Sequence, residues 1–322
     1  MSARHAVSTA VLGVAALALA ACGSDPSPTA GSTTPAATSP AASSSAATSS
    51  AAPSSEAPSS SEAPTSGSAA LPAECAPADL ATQEAGTLTI ATSEPAYEPW
   101  MVDNDPTNKK GYESAIAYAV AEKLGYTDDQ VTWTRVAFNA AISPAPKAFD
   151  FDINQFSITD DRKQAVDFSS GYYDVTQAVV TVDSSPIAGA TTVADLKSAN
   201  LGAQIGTTSL TALQDQIAPD SDPQIFQTND AAVQALKNGQ VDGLVVDLPT
   251  AFYLANAELE GGKLVGQLPP TGEAAEQFGL LLEKDSPLTT CVSAAVDAIR
   301  ADGTIDALAT EWLADAGAPV LG

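Results

Sequence analysis

Histidine is almost missing from this chain. The single one, His5, lies among the first few residues. Everything after it lacks an imidazole, which excludes Ser-His-Asp and Cys-His catalysis and every histidine-ligated metal site. Positive charge is also scarce. The 13 Lys and Arg against 39 Asp and Glu leave a formal charge of −26. That balance excludes nucleic acid, whose phosphates demand Lys and Arg, and disfavours anionic lipid. Beyond the N-terminal region no stretch approaches the roughly 20 apolar residues of a spanning helix. There is no Gly-rich dinucleotide fingerprint and no phosphate loop, so no cofactor is expected. Cysteine occurs only at positions 22, 75 and 291.

What the N-terminus does have is Arg4 followed by an uncharged apolar run from Ala6 to Ala21. The run is too short for a mature spanning helix and has the form of a secretory signal peptide, expected over residues 1–21. It ends in Leu19-Ala20-Ala21-Cys22-Gly23-Ser24, which resembles the lipobox of bacterial lipoproteins. Cys22 is then the expected site of a palmitate-type lipid anchor and the mature N-terminus, on the outer face of the bacterial cytoplasmic membrane. An ordinary signal peptide with an incidental cysteine is the other reading. From Ser24 to about Ala70 the chain is almost entirely Ser, Ala, Thr and Pro. Such a stretch has no large apolar side chains to repay ordering. Residues 22–72 are therefore expected to be a tether, reaching about 40 Å at roughly 5–6 Å × √n.

The remaining stretch of about 250 residues exceeds a typical single core and implies two lobes. Cys75 and Cys291 are the two thiols left in an exported chain, where a pair commonly forms a disulfide; two free thiols are the alternative. Gly86–Thr92 alternates and is β-branched, as a strand does. A polar, aromatic loop from Ser93 to Trp100 follows. Glu113–Leu124 carries Ile116, Val120 and Leu124 on one helical face, with Gly125 as a stop. Further strands are expected at Val131–Val136, Phe151–Asn154, Ala178–Val182, Leu201–Ile205, Ile225–Thr228, Val241–Val246, Leu264–Leu268 and Phe278–Leu282. Helices are expected from about Ser209, at Ala231–Lys237, Pro287–Ala301 and Thr304–Ala314. Strands alternating with helices imply an α/β chain with mostly parallel sheets.

In open α/β sheets, ligands sit beyond the carboxyl ends of strands. Four segments there carry polar groups: Ser93–Trp100, Gln155–Arg162, Gly206–Thr208 and Asp247. Together they suit a zwitterion. Arg162 can fork onto a carboxylate. Thr207 and Thr208 open a helix whose free N–H groups favour the same anion, and Asp247 can accept from an ammonium. Each has a plainer reading: Arg162 as a solvated charge, Thr207, Thr208 and Asp247 as helix caps, Tyr97 and Trp100 as packing aromatics.

Several segments in order carry a resemblance. They are Gly111-Tyr112-Glu113; Ser157-Ile158-Thr159-Asp160-Asp161-Arg162 with Val166-Asp167-Phe168-Ser169; Gln204-Ile205-Gly206-Thr207-Thr208; Ala235–Asp242; and Ala301-Asp302-Gly303-Thr304 with Trp312. From about Gly86 to Leu313 the chain resembles the bacterial extracellular solute-binding proteins of family 3, which bind polar amino acids. The resemblance implies a type II periplasmic-binding-protein-like fold of two lobes, each a mixed, mostly parallel sheet flanked by helices. Two hinge strands are expected near Val180–Asp183 and Glu273–Phe278. Lobe 1 would comprise 73–182 and 274–322, and lobe 2 would comprise 183–273.

It also implies roles. Arg162, helped by Thr208, clamps the ligand carboxylate, and Asp247 takes the ammonium. Ser157 and Gln155 line the site, while Tyr97 covers the ligand side chain opposite Phe138. Glu94 stands where some members place an acid against a cationic side chain, implying arginine, lysine or ornithine; pairing with the protein's own charges is its other reading. The chain departs from the family pattern at Ala115, Gly171 and Gln155. The implied activity is that of a monomeric receptor, not an enzyme, handing an amino acid to an ABC permease. A dehydratase on the same fold and a sensor that binds without delivering are the rivals.

Overall fold

The structure, a computed structural model, describes residues 71–272, 274–313 and 317–322. The expected signal segment, Cys22 and nearly all of the tether lie outside the described residues. The strands are β1 (Leu88–Thr92), β2 (Val131–Arg135), β3 (Phe151–Asp152), β4 (Val166–Val175), β5 (Gln177–Val182), β6 (Leu201–Gln204), β7 (Gln224–Phe226), β8 (Gly243–Asp247), β9 (Gly262–Gln267) and β10 (Glu276–Glu283). The helices are α1 (Tyr112–Lys123), α2 (Phe138–Ala141), α3 (Thr208–Ala212), α4 (Asn229–Lys237), α5 (Leu248–Tyr253), α6 (Thr289–Ala301) and α7 (Thr304–Trp312).

Two sheets result, in the orders β2-β1-β3-β10-β4 and β7-β6-β8-β5-β9. In the first, β1 runs parallel to β2 and β3 while β10 opposes β3 and β4. In the second, β6 runs parallel to β7 and β8 while β5 opposes β8 and β9. Each sheet therefore has a single reversed strand, the mixed and mostly parallel form expected. Each sheet also buries its own apolar residues. Ile90, Ile116, Val120, Phe278 and Val296 lie in the core of the first, and Val179, Leu201, Leu213 and Val245 in that of the second. Among the described residues no helix is long and apolar enough to cross a membrane.

The boundary between the lobes differs from the expectation. β5 was expected at the end of lobe 1, yet it pairs within the second sheet. Its run Gln-Ala-Val-Val-Thr-Val is buried along nearly its whole length. Such a strand suits the interior of either sheet, so its composition does not say which. The chain crosses at Thr176, ahead of Val180, and returns between Gln267 and Glu276. The last residues also change sides. Leu321 is buried in the second core, and its N–H donates to Gln267 O at 2.9 Å. Residues 317–322 thus pack on lobe 2, not on lobe 1.

Local chemistry positions the site loops. Gly111, at the start of α1, has φ +92°, and a Cβ there would lie 2.5 Å from Trp100 O. Only glycine permits both that backbone and that approach. The Ser93–Trp100 loop is consequently held against the helix start, with Glu113 N–H donating to Trp100 O at 2.9 Å. Cys75 and Cys291 form a disulfide with a Cα–Cα distance of 5.3 Å, tying the start of the described chain to α6. β4 carries the Val166–Ser169 motif and is a ten-residue strand that periodicity did not reveal.

Candidate functional site

Thr92, Asp152, Gln204 and Asp247 end β1, β3, β6 and β8. The loops beyond them enclose a cavity of about 320 Å³ lined by Glu94, Tyr97, Phe138, Gln155, Arg162, Thr207, Thr208 and Asp247, among others. The sequence-expected residues are thereby brought together from both sheets, with two exceptions.

Trp100 is the first exception. It is 1% exposed and packs edge-on against Tyr112, Tyr173 and Phe278, with ring centres 5.6–6.1 Å apart. Its indole N–H donates to Thr250 Oγ1 at 2.9 Å. It is a core residue that reaches the second lobe, not a ligand wall, because a ring with three aromatic neighbours is better desolvated there. Ser157 is the second. It is buried behind the wall, its hydroxyl 3.1 Å from Thr208 Oγ1 and its carbonyl accepting from Arg162 Nη1 at 2.7 Å.

Arg162 is anchored from both lobes, since its Nη2 also donates to Gly206 O at 3.0 Å. Its guanidinium carbon lies 5.4 Å from the Phe138 ring centre, and Phe138 stacks on Phe156 at 4.8 Å. Two of its five N–H groups are thus spent on carbonyls, which fixes the fork in place. Burial lowers its pKa, while the carboxylates of Glu276 and Asp247 act the other way. This is not a solvated surface charge.

Asp247 enters from the end of β8. Its side chain makes no helix-capping hydrogen bond to α5, so the plain capping reading fails. It accepts from Gln177 Nε2 at 2.9 Å. Its pKa is pushed up to about 7, first by burial and then by Glu276, with Gln177 and Arg162 opposing the rise. Thr207 does act as a cap, its Oγ1 accepting from Leu210 N–H at 3.1 Å, while it also lines the cavity. Thr208 Oγ1 is free of that duty and meets Ser157 and Gln177.

Glu94 faces the cavity already paired. Arg135 Nε is 3.3 Å from its carboxylate, and Asn104 Nδ2 donates to it at 2.7 Å. Gln155 sits at φ +48°. Its N–H donates to Glu113 Oε1 at 2.7 Å, and its side-chain amide donates to the other Glu113 oxygen. Glu113 is wholly buried, also accepts from Tyr172 Oη, and is pushed up to about 7 by burial, those donors opposing the rise. Tyr97 Oη accepts from Asp230 N–H at 3.3 Å, joining the first-lobe loop to α4. Burial, with Asp230 adding to it, pushes this phenol up to about 12.

Residues that the sequence did not single out complete the wall, among them Asn154, Gln204 and Ser209. Gln204 stood within a quoted motif, and Asn154 within an expected strand. Gln177, behind Asp247, gave no local signal. Among the described residues no cluster of His, Cys, Asp and Glu is placed to hold a metal ion.

A cavity walled by two separately cored sheets, joined by paired crossings, is the arrangement of type II two-lobed binding proteins. The chain belongs to the bacterial extracellular solute-binding proteins, family 3, whose profile matches residues 88–315. It is 28% identical over 233 residues to the L-cystine-binding protein TcyJ of Escherichia coli (strain K12), covering 71% of this chain and 84% of that one. A solved ancestral arginine-binding protein bound to arginine is 30% identical, with a TM-score of 0.58 over 70% of this chain and 98% of that one. An ancestral amino acid-binding protein, a precursor of cyclohexadienyl dehydratase, is 26% identical, with the same TM-score of 0.58 over 71% and 95%.

Proposed function

We propose that this protein is the extracytoplasmic receptor of an ABC importer and that it binds a polar α-amino acid between its lobes. The observation that carries this reading is the pairing of Arg162, from the first lobe, with Asp247, from the second, on one cavity of about 320 Å³. Arg162, with Thr208, holds the ligand carboxylate, and Asp247 accepts from the ammonium. Tyr97 and Phe138 flank the side chain. Because the two charged groups belong to different lobes, a ligand carrying both complementary charges favours the closed form over the open one. The named specificities of the relatives, cystine and arginine, are all α-amino acids and support the class.

Glu94 is engaged with Arg135 and Asn104, so the pocket takes polar side chains in general, basic ones among them. The same engagement leaves Glu94 without the role of acid that a dehydratase would ask of it, and binding without catalysis is the reading we adopt. Cys22 is proposed to anchor the monomeric receptor to the outer face of the membrane through lipid, with residues 22–72 as the tether to a permease. A calorimetric panel of the twenty amino acids with ornithine and citrulline tests the reading. At least one polar α-amino acid should bind, and its decarboxylated and deaminated analogues should not. Equal binding of those analogues would overturn it.

A further inference from the structure

Behind Asp247 stands a second carboxylate for which the assigned roles leave no use. Glu276, at the start of β10 on the return crossing, places Oε2 3.2 Å from Gln177 Nε2. That nitrogen also donates to Asp247 Oδ1 at 2.9 Å and lies 3.4 Å from Thr208 Oγ1. A primary amide has two hydrogens, and here three acceptors face it. Gln177 cannot turn round to help, because its Oε1 is held by the Ser209 hydroxyl at 2.6 Å. Among the described residues, Glu276 Oε1 is buried with no hydrogen-bond partner.

Two carboxylates thus share one amide beside the cavity, with one Glu276 oxygen shut away from any partner. The other titratable groups acting on Asp247 are Arg162, Glu113 and Tyr172. Glu113 is occupied by Gln155 and Tyr172, and Arg162 is turned to two carbonyls. Among the described residues no ion pair or hydrogen bond joins a Lys or Arg to either carboxylate, although Arg162 acts on both through space, and the Glu276 charge so close disfavours ionisation of Asp247.

We propose that Glu276 is a positioning residue that acts through Asp247, whose carboxyl holds a proton that is released to solvent when an ammonium group binds. The proposal rests on the reading of Asp247 as the ammonium acceptor. The proton balance is simple. Before binding the Asp247 carboxyl is neutral; the incoming ammonium is already charged and takes the proton's place beside it, and the proton leaves to buffer. The ligand carboxylate, held by Arg162, stands farther from Asp247 than the ammonium does, so ionised Asp247 is favoured. Affinity must then rise with pH until the free protein has lost the proton by itself, and be flat above that.

Two measurements on the full chain decide it. Carbon-13 titration of the Asp247 carboxyl without ligand should give a midpoint near neutrality, and Glu276→Gln should lower it by about one unit or more. An unmoved midpoint in the variant, or a wild-type midpoint near 4 (about the free value), overturns the proposal. Calorimetry with L-arginine, L-cystine and L-glutamine, in two buffers of different ionisation enthalpy at pH 6, counts protons released. Wild type should release close to one per ligand, with affinity rising about tenfold per pH unit below the midpoint. Glu276→Gln should release clearly fewer, about half or less, with the rise in affinity displaced to lower pH by the same shift as its midpoint. Equal proton counts in the two proteins overturn the linkage. Absence of binding by every amino acid overturns the functional reading instead, and the carboxyl titration still decides whether Glu276 acts on the Asp247 proton.

Discussion

Glu113 and Asp247 are two acids with the same perturbation and opposite surroundings. Each has its pKa pushed up to about 7, with burial as the first cause. Glu113 is met by the Gln155 N–H, the Gln155 amide and the Tyr172 hydroxyl, and it is sealed from the cavity. Asp247 takes one amide hydrogen from Gln177, shares that amide with Glu276, and faces the cavity. A raised pKa alone therefore does not mark a binding residue. The partner set does: a carboxyl whose oxygens are saturated by its own fold is structural, and one left short of donors beside a cavity is ready for a ligand.

The contrast can be broken or sharpened by mutation. The largest effect is expected from Glu113→Ala. It strands the Tyr172 hydroxyl and the Gln155 amide in the core, and it should cost about 3–5 kcal/mol of stability, read by denaturant unfolding. Next is the pH dependence. Folded Glu113 keeps its proton to about pH 7, whereas its ordinary value is 4.5. In that window the unfolded chain binds fewer protons, so this group's contribution to stability is lost as pH rises through it and changes no further above it. The loss is on the order of 3 kcal/mol. Glu113→Gln should remove it, as the difference between the two proteins' stabilities at pH 5 and pH 8 would show.

Smaller in energy but decisive for function, Arg162→Ala and Asp247→Asn should each weaken amino-acid binding at least tenfold, about 1.4 kcal/mol or more. Asp247→Asn should leave unfolding stability unchanged or raised, because it removes a charge that the fold satisfies poorly. Calorimetry and thermal melting together separate these outcomes from those of Glu113→Ala. If Asp247→Asn destabilised the fold as Glu113→Ala does, the two carboxylates would be alike after all. The smallest change is expected from Glu94→Gln. Its charge is already met by Arg135 at 3.3 Å, so affinity for a neutral polar amino acid should shift less than about threefold.

Much of the site was legible beforehand for a local reason. Strand ends carry binding loops, and the residues past β1, β3 and β6 and at the end of β8 are read directly from where apolar runs stop. Arg162, Thr208, Tyr97 and Asp247 were found in that way, with the family resemblance supplying their roles. Trp100 was misread because an aromatic in a polar loop gives no sign of its distant neighbours; Tyr112, Tyr173 and Phe278 reach it only in the folded chain. Ser157 fell one layer too deep for the same cause. Gln177 and Glu276 could not be found by pattern. They sit at the crossings, where sequence separations of 70 and 99 residues separate Gln177 from its partners Asp247 and Glu276.

What the sequence determined by itself is whatever local chemistry decides: the alternation of strands and helices, the glycine that starts α1, and the absence of imidazole from the binding region. The charge on each side of the cavity also belongs here. What only tertiary structure decided is pairing and enclosure. β5 and the last residues joined the second sheet because an apolar strand is indifferent to which sheet buries it, and only the partner's edge selects. Enclosure likewise gave two carboxyls the same shift and then divided them, Glu113 to the frame and Asp247 to the cavity wall, by the number of donors each one meets.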